Sequence, residues 1–216
     1  MVPVRLTGPR LALREFHHTP EDVAALHAVF GDPEATRYLP FAPRDLETCA
    51  DQVAQFVEEA EKERREVYRL AVTRHADADD PARAVPIGNA ALGLLPHGAA
   101  TIGYALRRDV WGSGYAGELL ALLRDFAFGP LGVHRLEARV DVDNAASIRV
   151  LVRAGFRLEG RVRHDYRGPD GWRDARQYAL LADDPRCGDG GEGTAGRGDN
   201  PTSGSAGSRM SGGGVF

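Results

Sequence analysis

Residues 111 to 118 read WGSGYAGE, and Gly112-Ser113-Gly114-Tyr115-Ala116-Gly117 within them is a complete GxGxxG. Three glycines, a serine and an alanine open a helical pattern, so little side chain separates the backbone from a ligand. The helix N-terminus adds unpaired N–H groups and the positive end of the macrodipole, which suits an anion such as a pyrophosphate. A tight turn with glycines for geometry alone accounts for one of the three, not for the set. Asn144 and Ser147 open a second helical stretch, "NAASIRVLVRAGF". On local sequence they read equally as N-terminal caps and as ligand contacts. Tyr104, in "TIGYAL", is a third polar group close to the glycine loop in sequence.

The elements that must position these residues follow from periodicity. "RLALREF", 10 to 16, alternates and reads as a strand. In "TPEDVAALHAVF", Thr19 is an N-cap, Pro20 fits the first helical position and Gly31 stops the helix. A second helix is expected over 43 to 65, with Leu46, Cys49, Val53, Phe56, Val57 and Ala60 on one face. Strands follow at 67 to 73, in "AVPIGNAALGLL" with Pro86 at its start, and at 100 to 106; "HADADDPAR" is a polar loop between the first two. The glycine loop leads a helix to about Phe128. "HRLEARVDVD" alternates strictly, predicting Leu136, Ala138, Val140 and Val142 inward and Arg135, Glu137, Arg139 and Asp141 outward. Two last strands, 157 to 166 and 174 to 182, flank the turn "RGPDGW", where Trp172 is expected to pack on the hairpin. The order β-α-α-β-β-β-α-β-α-β-β makes this an α/β (α+β) chain with a mixed, mostly antiparallel central sheet flanked by helices.

That order argues against a nicotinamide dinucleotide as the anion. A Rossmann fingerprint sits directly after a strand, in a βαβ unit with further α/β units behind it. Here the glycines follow an antiparallel hairpin, with Arg107 to Trp111 in between. An acidic residue does stand where a ribose ligand would, at Asp141 or Asp143, so an NAD oxidoreductase stays a rival.

Composition bounds the rest. The 216 residues carry a net charge of −4, which gives no electrostatic footprint for nucleic acid. The stretch from Cys187 on holds 11 of the 26 glycines and almost no bulky apolar side chain, so 185 to 216 is expected to be a disordered Gly/Ser-rich tail behind a domain at 1 to 184. Cys49 and Cys187 form neither a disulfide framework nor a metal site, and His17, His18, His134 and His164 have no metal spacing. No apolar run reaches a membrane span, so a soluble, cytoplasmic protein is expected.

"TIGYALRRDVWGSGYAGELL" together with "HRLEARVDVDNAASIRVLVRAGFRLEG" resembles the GNAT superfamily of acetyl-CoA-dependent N-acetyltransferases. The branch it is most similar to is the ribosomal-protein N-terminal acetyltransferases, which "RLALREF" and "DPEATRYL" also resemble, and the likeness runs from residue 4 to about 182. The family's pyrophosphate loop reads Gln/Arg-x-x-Gly-x-Gly/Ala. Gly114 and Ala116 match it, and Trp111 stands at the Gln/Arg position, which removes one side-chain donor. The resemblance implies a GNAT-like sheet splayed between its fourth and fifth strands, 100 to 106 and 133 to 141. It implies acetyl-CoA as co-substrate and no metal. The pantetheine arm would lie along the free backbone groups of Ala105 and Leu106, and the phosphates on the backbone N–H groups of Gly112, Ser113, Gly114, Tyr115, Ala116 and Gly117, with Trp111 a further cofactor contact at the head of the loop.

The resemblance also implies a partner: an amine acceptor, either a protein N-terminus or a small molecule, with no nucleic acid or membrane and a homodimer admitted. It places Asn144 on the cofactor and Ser147 near its sulfur. Where many relatives carry a tyrosine as thiolate acid, this chain has Leu151, which leaves Ser147 as the donor and keeps open a module that binds acetyl-CoA without transferring it. Tyr104, Glu15 and Asp141 are the candidates for a base acting through water. An α-amine, with a pKa near 8, needs less help from a base than a lysine near 10.4.

Overall fold

The alternating segments become one twisted sheet. The computed structural model describes residues 3–75 and 84–185. In chain order these form β1 (Arg5–Thr7), β2 (Leu11–Glu15), α1 (Pro20–Phe30), α2 (Pro33–Thr36), α3 (Leu46–Glu61), β3 (Val67–Arg74), β4 (Gly88–Leu95), β5 (Ala99–Leu106), α4 (Tyr115–Phe128), β6 (Arg135–Asp141), α5 (Ala145–Arg153), β7 (Arg157–Gly168) and β8 (Gly171–Leu181). The strand order is β1-β2-β3-β4-β5-β6-β8-β7. Neighbours are antiparallel except β5 and β6, which run parallel. The mixed, mostly antiparallel sheet is the one expected. The expected tail, apart from Pro185, and most of the "HADADDPAR" loop lie outside the described residues.

Strand alternation sorts the core into two layers. Leu70, Val72, Leu136 and Val140 point to the face covered by α4 and α5, where Leu119, Leu123 and Leu151 meet them. Ala71 and Ala105 point to the other face, where Val29 and Phe30 of α1 and Val53 and Phe56 of α3 lie. The helix ends follow local chemistry. Thr19 accepts from the Asp22 N–H with Pro20 behind it, and Asp45 caps α3 through the Thr48 N–H.

Four details differ from the sequence reading. α3 is shorter than 43 to 65, because Asp45 starts it and extended backbone at Lys62 ends it, and Leu46 in its first turn is exposed rather than on the buried face. β1 and α2 were not expected; three and four residues are too short for a periodic signal. β4 begins at Gly88 rather than near Pro86. Asp141, expected outward, is 3% exposed, because its end of β6 is covered by β8 and by Tyr166.

Gly88 opens β4 for a steric reason. A Cβ there would stand 2.5 Å from the Ala105 carbonyl oxygen and 2.6 Å from the Leu106 side chain. The contact is with backbone, so it cannot be relieved by a rotamer change, and Gly88→Ala must push the end of β5 away. Overpacking of this kind costs roughly 1–3 kcal/mol, about 3–10 °C in Tm for a chain of this size. Thermal melting of Gly88→Ala against the parent measures it; an unchanged Tm would show that β4 and β5 separate freely there.

Candidate active site

The parallel pair β5 and β6 is registered at Ala99↔Arg135, Ala100↔Leu136 and Thr101↔Glu137, and then the strands part. β5 stays with β4 as far as Leu106↔Gly88. β6 stays with β8 as far as Asp141↔Ala175. A wedge opens in the middle of the sheet between 102–106 and 138–141. The Arg107 N–H reaches the Ile87 carbonyl at 2.8 Å. Counting back by the two-residue alternation of an antiparallel ladder, Ala105 turns its backbone groups toward β4, while Tyr104 and Leu106 turn theirs into the wedge. The sequence reading paired Ala105 with Leu106 as the free edge; the alternation substitutes Tyr104 for Ala105.

A cleft of about 700 Å³ occupies the wedge. β5 contributes Tyr104, Ala105 and Leu106, and α5 contributes Asn144 and Ser147 from its first turn. Trp111, Gly112, Gly114, Tyr115, Ala116 and Gly117 line the end next to α4. Glu34, Tyr38 and Leu39, from α2 and the turn after it, also line the cleft. Ser113 alone of the expected loop residues is not on the cleft wall; its carbonyl accepts from Arg10 Nη1 at 2.9 Å.

The loop geometry fits an anion. Gly112 and Gly114 have φ of 78° and 79°, a region in which side chains are strained, and Gly114 caps α4 with no side-chain hydrogen bond. Adjacent residues and the backbone of α4 itself aside, no atom of the described residues lies within 4 Å of where a Cβ would sit on Gly112 or Gly117. The first-turn carboxylate, Glu118, does not occupy these amides. It is turned back to β2, where it accepts from the N–H groups of Arg10 and Leu11 at 2.7 and 2.9 Å and from Arg10 Nε at 2.9 Å. Arg10 thus holds both Glu118 and the Ser113 carbonyl, and it stacks over the Tyr115 ring at 4.7 Å. No local signal marks Arg10 and Glu118 as loop supports, since 108 residues separate them.

The remaining candidates fall into two groups. Trp111 Nε1 donates to the Leu106 carbonyl at 2.8 Å, so the indole closes the strand end instead of replacing the family's Gln/Arg donor. Asn144 caps α5, its Oδ1 accepting from the Ser147 N–H at 3.0 Å. The Tyr104 hydroxyl is buried and has no hydrogen-bond partner of normal geometry. Burial pushes its pKa above 10, and the nearby Ser147 hydroxyl offsets only part of that rise. The other two base candidates are spent. Glu15 is ion-paired with Arg65 at 2.5 Å and lies against the N-terminal segment, bonded to the Val4 N–H. Burial pushes the Asp141 pKa up, but Arg173, Tyr166 and the Asp143 N–H outweigh it, and the carboxyl is held below its usual range. Trp172 stacks on the His164 ring at 5.9 Å, on the hairpin as expected. Among the described residues, no group of three or more His, Cys, Asp or Glu is placed to hold a metal, and no helix is long and apolar enough to cross a membrane.

Residues 10–157 match the family model described as the acetyltransferase (GNAT) domain. The chain is 30% identical over 174 residues to the uncharacterized N-acetyltransferase p20 of Bacillus licheniformis, covering 80% of this chain and 93% of p20. It is 32% identical over 163 residues to the uncharacterized N-acetyltransferase YoaA of Bacillus subtilis strain 168, covering 76% and 88%. In three dimensions it is similar to Mycobacterium smegmatis RimJ, solved with CoA-disulfide, at a TM-score of 0.69 and 24% identity, covering 84% of this chain and 90% of that one.

The Arg10–Glu118 clamp gives a test of the loop. Burial raises the Glu118 pKa, but the Arg10 and Leu11 donors lower it further, to a net value below 4.5. A depressed carboxylate contributes stability above its unfolded pKa and loses it as pH falls through the folded value. Glu118→Gln should therefore lower Tm near neutral pH, and the difference from the parent should shrink below about pH 4. The same variant should weaken acetyl-CoA binding several-fold by loosening Ser113 and the α4 N-terminus. Melting between pH 3 and 7 and calorimetric titration check the two; a Tm difference independent of pH would mean Glu118 acts only through packing.

Proposed function

The chain belongs to the GNAT acetyltransferase family, and from that premise we propose that it moves the acetyl group of acetyl-CoA to a protein N-terminal α-amine, with Tyr104 and Ser147 at the leaving sulfur. The phosphates would rest on the backbone of Gly112 to Gly117. The pantetheine arm would run along the unpaired edge of β5, and the Leu106 N–H would take the developing oxyanion. The free amine attacks the thioester carbonyl, the N–C bond forms and the C–S bond breaks. The thiolate takes a proton from Tyr104 or Ser147, solvent restores it, and the amine's surplus proton leaves to water. The observation that carries this reading is the Tyr104 hydroxyl: buried, with no hydrogen bond of normal geometry, with a raised pKa that keeps it protonated, beside Ser147 on the cleft wall. A phenol in that state is a donor rather than a base, so Tyr104 becomes an acid in this proposal.

The choice of an α-amine rests on the carboxylates. Glu15 and Asp141 are held by Arg65 and Arg173, and the acid that lines the cleft is Glu34, about half exposed and 3.9 Å from Arg37. Glu34 suits attraction of a cationic amine. A group with a pKa near 8 supplies free amine at neutral pH without a strong base. The likeness to ribosomal-protein N-terminal acetyltransferases, with RimJ among the fold neighbours, points the same way.

Tyr104→Phe should lower kcat at least about tenfold with little change in KM for acetyl-CoA, and Ser147→Ala should lower it less. At about pH 7.5 with saturating acetyl-CoA, a peptide with a free α-amine should release thiol faster than the same peptide blocked at its N-terminus with a free lysine. If the lysine peptide is faster, the α-amine reading fails. If neither reacts while a small polyamine does, the acceptor is a small molecule.

A further inference from the structure

Asp141 lies at the open end of β6, and its contacts tie together two walls of the cleft. On one side its Oδ1 accepts from the Asp143 N–H at 2.9 Å, in the turn that leads into α5 with Asn144 and Ser147. On the other, its Oδ2 takes the Tyr166 hydroxyl at 2.6 Å and Arg173 Nε at 2.6 Å. The Tyr166 hydroxyl also stands 3.3 Å from the Tyr38 carbonyl. It has one proton, shared chiefly with the nearer carboxylate. Arg173 lies over the Tyr38 ring at 5.8 Å, and Arg37 over the same ring at 5.5 Å. Tyr38 is therefore packed against this cluster, its carbonyl the minor acceptor of the Tyr166 hydroxyl and its ring under Arg173. Neither Tyr166 nor Arg173 is on the cleft wall; Tyr38 is.

The position of Tyr38 gives this cluster a role. Leu39 packs with α1 and α3, which places α2 and Tyr38 on the sheet face away from α4 and α5. If acetyl-CoA is held by the α4 loop and α5, as proposed above, the amine has to reach the thioester past α2. We infer that Tyr166, acting through Asp141 and Arg173, is a positioning residue that fixes the Tyr38 wall through which the acceptor amine enters. Burial and the Asp141 carboxylate drive the Tyr166 pKa well up, while Arg173 helps to hold Asp141 down. Both keep one charge state through the neutral range, so the cluster is a fixed strut and not a pH switch.

Tyr166→Phe tests this, because it keeps the ring and removes only the hydroxyl. With the free-α-amine peptide as acceptor, its KM should rise at least about fivefold, in keeping with the loss of a hydrogen bond to a charged group. The KM for acetyl-CoA, and kcat at saturating peptide, should stay within about twofold. Exchange of the backbone amides within 33–39, those of residues 34 to 39, should quicken about tenfold, while the amides of α5 keep their protection. The exchange arm uses no acceptor, so it stands even if the amine has been misassigned. Asp141→Asn should loosen both walls and raise both KM values. Unchanged exchange at 33–39 in Tyr166→Phe would overturn the inference. So would a loss of α5 protection or acetyl-CoA affinity as large as the loss on the acceptor side.

Discussion

Two parallel strands that part after three residue pairs are the constraint on which the site depends. Backbone N–H and C=O groups inside a protein need partners, and a sheet that opens in its middle exposes two rows of them. The protein answers differently on the two sides. On β5 the Leu106 carbonyl is taken by the Trp111 indole, while the adjoining N–H has no β6 residue opposite it. On β6 the last carbonyl, that of Asp141, accepts from the Asn144 N–H at 3.0 Å, in the turn that the Asp141 carboxylate braces through the Asp143 N–H. The edge left for a ligand is thus on β5, next to the glycine loop, which is where an extended thioester arm is proposed to lie.

The same logic governs the loop. Glycines let the backbone approach a phosphate, but they bring no side chain to hold themselves in place. The hold comes from β2: Arg10 grips Ser113 and Glu118 and covers Tyr115. Gly8 fits this arrangement, since a Cβ there would stand 2.9 Å from a Glu118 carboxylate oxygen. A loop with no internal stiffness is made rigid by a strand that lies far away in sequence.

What could be read from the sequence is what short-range physics specifies. The alternation of 134 to 143, the Thr19 cap with Pro20, the positive-φ glycines before α4 and the small-residue cradle are signals within a few residues. The parting of β5 and β6 came from family resemblance, because no periodicity encodes it. Long-range matters were not legible. Arg10 reads as an ordinary strand residue until Glu118 is beside it. Asp141 follows the outward phase of its strand and is buried because Tyr166 and Arg173, from the last hairpin, close over it. Leu46 shows the converse: helical phase put it inward, but in the first turn of α3 nothing reaches it.

These long-range pairings also bear on the chemistry. A carboxylate fixed by an arginine is held in its charged form by a partner that does not titrate, and moving a proton onto it means breaking that pair. Asp141, at the end of β6, is in that state through Arg173, while Glu15 on β2 is ion-paired with Arg65. Their job is to hold Arg65, Arg173 and the strand ends, and catalysis would compete with it. The Tyr104 hydroxyl is in the opposite state, desolvated and with only Ser147 beside it, so the proton donation proposed for it meets no such competition. A site with an available acid and no committed base suits a nucleophile of which a useful fraction arrives deprotonated and a leaving group that departs as an anion. The proposed α-amine acceptor comes closer to the first condition than a lysine side chain, whose pKa lies more than two units higher.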